Sequence, residues 1–233
     1  MKYGIDSQHG RRDFAVIIEP AEGGPAPQET GDGYVGLRHM QTFALLLGNP
    51  NPVQADAEVR VNGKSVGVFR LRMWGEMRLE RPENDPSRFT AIVTRTREAW
   101  AAGLAAGDEQ NGLIEVTFKP ERPQPPVVRP SWSNSIRREG VYYGDPQASL
   151  DEPQYRSARG MSASGMPTKE MGVGLSGHSS QTFTRVAALD YDETGIVKIS
   201  LRICELAGSP VSTQSVHPIR EEPVGNLTPR PVR

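Results

Sequence analysis

Strict alternation broken by two sharp reversals dominates residues 55–81, ADAEVRVNGKSVGVFRLRMWGEMRLER. Ala57, Val59 and Val61 fall on one face of an extended chain, and Asp56, Glu58 and Arg60 on the other. A period of two is what a half-buried antiparallel strand requires. Asn62-Gly63 between two such runs predicts a two-residue hairpin, because a type I′ turn needs positive φ at both central residues. A second turn is expected near Trp74-Gly75, after which the alternation resumes. A chain patterned in this way folds as a β-protein.

Further strands are expected at residues 13–19 (DFAVIIE), 40–48 (MQTFALLLG) and 88–95 (RFTAIVTR). The NPNP cluster at 49–52 stops the second of these. Residues 112–119 (GLIEVTFK) alternate with Ile114, Val116 and Phe118 inward, making six or seven strands before residue 120. Residues 98–106 (EAWAAGLAA) suggest a short helix, weakened by Gly103, which costs about 1 kcal/mol relative to Ala in a helix interior. Residues 20–33, rich in Gly and Pro, read as an extended loop.

From residue 120 to 180 the pattern disappears. PERPQPPVVRP is a polyproline-like spacer, and the stretch up to residue 180 is rich in Gly, Ser and Met. Strand character returns at 181–189 (QTFTRVAAL) and 195–206 (GIVKISLRICEL), where Val197, Ile199, Leu201 and Ile203 share a face. An isolated two-stranded hairpin is marginal in water, so this pair should complete sheets begun earlier in the chain. The expected architecture is an antiparallel β-sandwich, jelly-roll-like or immunoglobulin-like. It is built from residues 1–119 and closed by a hairpin at 181–206. Residues 120–180 form an extended arm and residues 207–233 an extended tail.

Composition agrees with a modest core and much irregular chain: apolar residues are 36%, with 24 Gly and 20 Pro in 233 residues. A net charge of −1 gives no electrostatic case for nucleic acid or an anionic membrane. The single cysteine, Cys204, excludes an intrachain disulfide and a Cys-based zinc site. No apolar run approaches the ~20 residues of a membrane span, and the N-terminus lacks the apolar region of a secretory signal.

Candidate sites each have a plainer reading. The acids in residues 190–193 (DYDE) could ligate calcium, but they also suit a solvated turn, which is the reading preferred. His9, His39, His178 and His217 are scattered without metal-ligand spacing and are expected at the surface. GVGLSG at 172–177 loosely suggests a phosphate cradle, lacks the following Lys-Ser/Thr, and reads as flexible linker. In the arm, Trp132, Ile136, Arg137, Tyr142 and Tyr143 have the residue types of interface anchors. Met161, Met166 and Met171 could add adaptable apolar contacts. No paired acid–base or metal constellation points to an enzyme, and no cofactor is expected.

Residues 43–92, from FALLLGNPNPVQADAEVRVNGKSVGVFR to PSRFTAI, resemble a module of proteins from tailed bacteriophages and large DNA viruses. Residues 174–202, GLSGHSSQTFTRVAALDYDETGIVKISLR, resemble the closing hairpin of the same proteins. The resemblance implies a virion component made in the host cytoplasm: a head decoration, cement or surface protein. Its partners would be capsid subunits or copies of itself, gripped by the arm and tail. A carbohydrate-binding or host-attachment module, with Trp74, Trp100 or Trp132 as the sugar platform, is the alternative expectation.

Overall fold

The computed structural model describes residues 13–21, 24, 26–29, 33–123, 169–205 and 216–219. Contacts divide the chain into two compact units, Met1–Pro123 with Ala163–Arg233, and Gln124–Ser162. All described residues belong to the first.

Two sheets make up the fold. The first holds β1 (Ala15–Pro20), β4 (Gln41–Asn49), β7 (Gly75–Leu79), β8 (Arg88–Val93) and β10 (Met171–Ser176). One side of β4 carries β1; the other carries β8 at its start and β7 at its end. The second sheet runs β2 (Gln28–Glu29), β3 (Tyr34–Leu37), β11 (Val197–Glu205), β9 (Leu113–Pro120), β5 (Ala55–Val61), β6 (Lys64–Leu71). Pairing is antiparallel except between β11 and β3, which are parallel, so this sheet is mixed. The protein is an all-β sandwich.

The alternation at residues 55–61 does what periodicity predicts. Ala57, Val59 and Val61 are fully buried between the sheets, with Val116, Phe118 and Ile114 opposite them on β9. Phe14 stacks on Phe118 and Phe43 on Phe89, with ring centroids 4.5 and 5.9 Å apart. Burying a Phe or Leu side chain contributes about 1.5–3 kcal/mol, and this interior is where the fold's stability resides. Asn62 and Gly63 take φ of 49° and 74°, as the expected turn demands.

The Asn62 side chain also reaches across the sandwich. Its amide donates to the Val173 carbonyl at 2.6 Å and its oxygen accepts from Val173 N and Gly112 N. The hairpin tip of one sheet is thereby fastened to β10 in the other.

Four local expectations are corrected. Residues 172–177 are not linker: β10 is buried along its whole length and pairs with β8. Its glycines serve close approach, since a β-carbon on Gly172 would lie 2.6 Å from Leu104 and one on Gly174 2.5 Å from Ile92. Met171 is accordingly a core residue, not an exposed anchor. Second, residues 181–189 form no strand. Only Phe183 packs against the core, and its neighbours are largely exposed, so the run crosses the sandwich edge as a strap. The two closing strands are instead β10 and β11, in different sheets. Third, the expected helix is only α1 (Arg97–Ala101). Gly103, at φ 69°, ends it: Gly103 N donates to Trp100 O and Leu104 N to Ala99 O, the Schellman arrangement. Finally, β2 arises within the loop expected at residues 20–33 and β3 directly after it, both too short to alternate visibly.

The strap is held by Arg81. Its guanidinium donates to the carbonyls of Gln181, Pro82, Glu83 and Asp85 and lies 4.5 Å from the centre of the Phe183 ring. The Gln181 amide meanwhile pairs with Arg78 O and Glu80 N, occupying the edge of β7 as a peptide group would.

Candidate interaction surface

Two tryptophans stand out of a structure that buries most of its large apolar residues. Trp100 is 86% exposed, Trp74 55% and its neighbour Met73 53%. They occupy opposite ends of the sandwich. α1 sits by the start of β4, where Met40 N donates to Ala91 O and Met40 packs with Ile92, Ala99 and Ala102. The Met73–Trp74 corner lies at the far end of β4, where Asn49 holds it. A nine-residue strand separates the two by roughly 27 Å.

Each tryptophan is rigidly mounted. The corner between β6 and β7 turns from one sheet to the other, closed by Gly75 N donating to Arg72 O. Trp74 has φ 54°, a left-handed conformation that bulky side chains rarely adopt. Asn49, 1% exposed, donates to Val53 O at 2.8 Å and Arg72 O at 3.0 Å. Asn51 accepts Trp74 N through its carbonyl, at 3.1 Å. The NPNP cluster, expected only to turn the chain, is a pedestal built from two buried amides. At the other end, the Thr96 hydroxyl caps α1 by accepting Ala99 N, and buried Ala99 and Ala102 turn Trp100 outward.

One buried charge cluster is tied into the fold. Asp56 is on the outer face of β5 yet fully buried, between Arg70 and Lys119 on the flanking strands. Arg70 pairs with it and Tyr191 donates its hydroxyl proton to it at 2.8 Å. Burial pushes the Asp56 carboxyl above its usual range, against the pull of Arg70 and Tyr191. Burial and the Asp56 contact push the Tyr191 phenol up as well. In the DYDE turn, then, the tyrosine matters to the fold. Asp192 caps the 3-10 turn Glu193–Gly195 and Asp190 faces Arg122 at 3.6 Å.

His39 is buried rather than at the surface, its Nδ1 accepting Val93 N. His178 is exposed and His217 bonds to Asp85 at 3.1 Å; His9 lies outside the described residues. No group of three or more metal-ligating side chains occurs among the described residues.

Two open clefts flank the strands. One, of about 450 Å³, is lined by β7 and Gln181; the other, of about 580 Å³, by residues 93–96 with Lys169 and Glu170. Among the described residues, neither is lined by an aromatic side chain. In the second, the Glu170 carboxylate accepts from Gly107 N and Asn111 Nδ2. Burial opposes its ionisation, but these bonds together with Thr94 and nearby Arg95 hold it below the usual glutamate value.

Of the anchors expected from sequence, Trp132, Ile136, Arg137, Tyr142, Tyr143, Met161 and Met166 lie outside the described residues. Met73 was not singled out by sequence reasoning. Its signal was available: an apolar pair, Met73-Trp74, placed at a turn where polar residues are usual. No protein-family model, curated protein or solved structure matches this chain.

Proposed function

We propose that this chain is a non-enzymatic assembly protein, a decoration or cement component of a viral capsid that ties neighbouring subunits together. The observation that carries the assembly reading is one exposed, rigidly mounted tryptophan at each end of the sandwich. Tryptophan is the residue type most enriched at interface hot spots. Two such anchors on opposite ends let one molecule bridge two neighbours, and bivalent attachment raises affinity without new contacts. The viral setting follows from the resemblance of residues 43–92 and 174–202, and the partners are capsid subunits or further copies of this chain.

The test is incorporation into particles. Trp74→Ala and Trp100→Ala should each melt within a few degrees of the parent, because exposed side chains contribute within about 0.5 kcal/mol of stability. Each should lower occupancy on the particle, and the double variant should lose it by about 100-fold or more. A double variant that fills particles like the parent overturns the reading. Exposure of Trp100 also suits stacking on a sugar ring, so a carbohydrate-binding or host-attachment module is the second reading. A glycan-array signal abolished by Trp100→Ala would favour it.

A further inference from the structure

The outer edge of β10 is occupied by a short stretch of the chain's own C-terminal region. Leu175 N donates to His217 O at 2.9 Å and His217 N to Leu175 O at 3.0 Å, the exchange made by paired strands. Val216 packs on the small cluster of Met40, Ile92, Ala99 and Ala102. Ile219, 3% exposed, enters the main core. Lys64 Nζ donates to the Ile219 carbonyl at 3.3 Å, and His217 Nε2 lies 3.1 Å from the Asp85 carboxylate. Four residues thus receive two apolar sockets, a main-chain pairing and two polar clasps. Strand addition to an exposed edge, with pockets for alternate side chains, is a recurring way of binding peptides.

We infer that this groove is an acceptor site for a Val-His-Pro-Ile segment, and that in an assembly it is filled by the tail of a neighbouring copy. The inference rests on the assembly reading above. The segment is joined to the sandwich through residues 206–215, and ten residues can reach at most about 35 Å. Glu205 lies beside Lys169, only some six residues, or roughly 20 Å, along β10 from Leu175. The tether has length to spare. Exchange between copies preserves every contact in the groove, so trading the chain's own segment for a neighbour's changes little except loop-closure entropy. Copies held side by side supply the effective concentration that favours the trade.

The primary test needs no substitution. An equal mixture of ¹⁴N- and ¹⁵N-labelled full-length protein is treated with a carbodiimide, which joins the Lys64 amine to Glu221 or Glu222, just beyond Ile219. Mixed-isotope linked peptides that grow with protein concentration are expected. Same-isotope pairs alone at every concentration would overturn exchange. The acceptor site is tested separately with the full-length Val216→Asp/Ile219→Asp variant and a labelled peptide of residues 214–221. The variant should bind the peptide saturably, and the parent about tenfold more weakly or worse, because its own segment competes. A variant that retains the parent's circular dichroism but ignores the peptide overturns the acceptor site. Neither assay contains a particle, so a negative result here is distinct from a failure of the incorporation test.

Discussion

Single side chains do much of the joining in this protein. Tyr191 is one: its hydroxyl is a proton donor to a carboxylate with no access to water. Tyr191→Phe removes a bond that Asp56 cannot replace from solvent, and should cost about 1–3 kcal/mol in urea unfolding. Glu170 carries a pH dependence whose sign is fixed by its lowered carboxyl value. The folded state holds its proton less tightly than the unfolded chain, so this stabilisation is complete above the ordinary glutamate value of 4.5. It is lost as pH falls from there through the lower folded value. Glu170→Gln should therefore flatten the acid limb of the melting-temperature profile below pH 4.5 and lower stability above it. A parallel downward offset at all pH values would contradict this. Asp56 acts in the opposite sense: its raised value makes ionisation an increasing burden above the ordinary 3.8.

At the scale of elements, long alternating strands were legible and short or glycine-rich ones were not. The β5–β6 hairpin could be read from residues 55–71 because its turn and the inward face of β5 agree with the pattern, although β6 is buried continuously from Ser65 to Phe69. β10 could not, because a strand buried on both faces shows no alternation and its glycines mimic a linker. Thr and Val give residues 181–189 a β-like composition, but the strap is held by side chains, Arg81, Arg70 and the Gln181 amide, rather than by a strand ladder. That substitution of side chains for a ladder is testable. Arg81→Met leaves the carbonyls of Gln181, Pro82, Glu83 and Asp85 without the guanidinium. It should destabilise the protein by about 2–4 kcal/mol and open residues 181–190 to protease before the sheets unfold. Of the candidate surface, Trp74 and Trp100 were visible as residues, whereas exposure and separation are properties only of the folded chain.

For the whole molecule, β10 redefines which part of the expected arm can be removed. A cut spanning 121–178 would delete the partner of β8 and the strand that Asn62 clasps. Replacing residues 124–168 alone by a Gly/Ser linker of about 20 residues, with a span of roughly 25 Å, spares both. The resulting protein should retain a cooperative melt close to the parent's. If residues 124–168 grip neighbouring subunits, it should also lose incorporation into particles. Retained incorporation would show that the sandwich alone carries attachment.

The position of β11 has a consequence for how the chain is made. This strand lies in the interior of the six-stranded sheet, between β3 and β9, yet among the described residues it is the last strand in sequence order. Until it arrives, β2 and β3 have no place beside β9, β5 and β6, and Val35 and Leu37 have no sheet to join. Folding during synthesis can proceed only as far as two unfinished halves, and closure waits for contacts spanning more than a hundred residues. Such non-local closure is slow, and it leaves strand edges open to chaperones and to aggregation while ribosomes are still at work. A nascent chain released before residue 205 lacks the strand that joins β3 to β9.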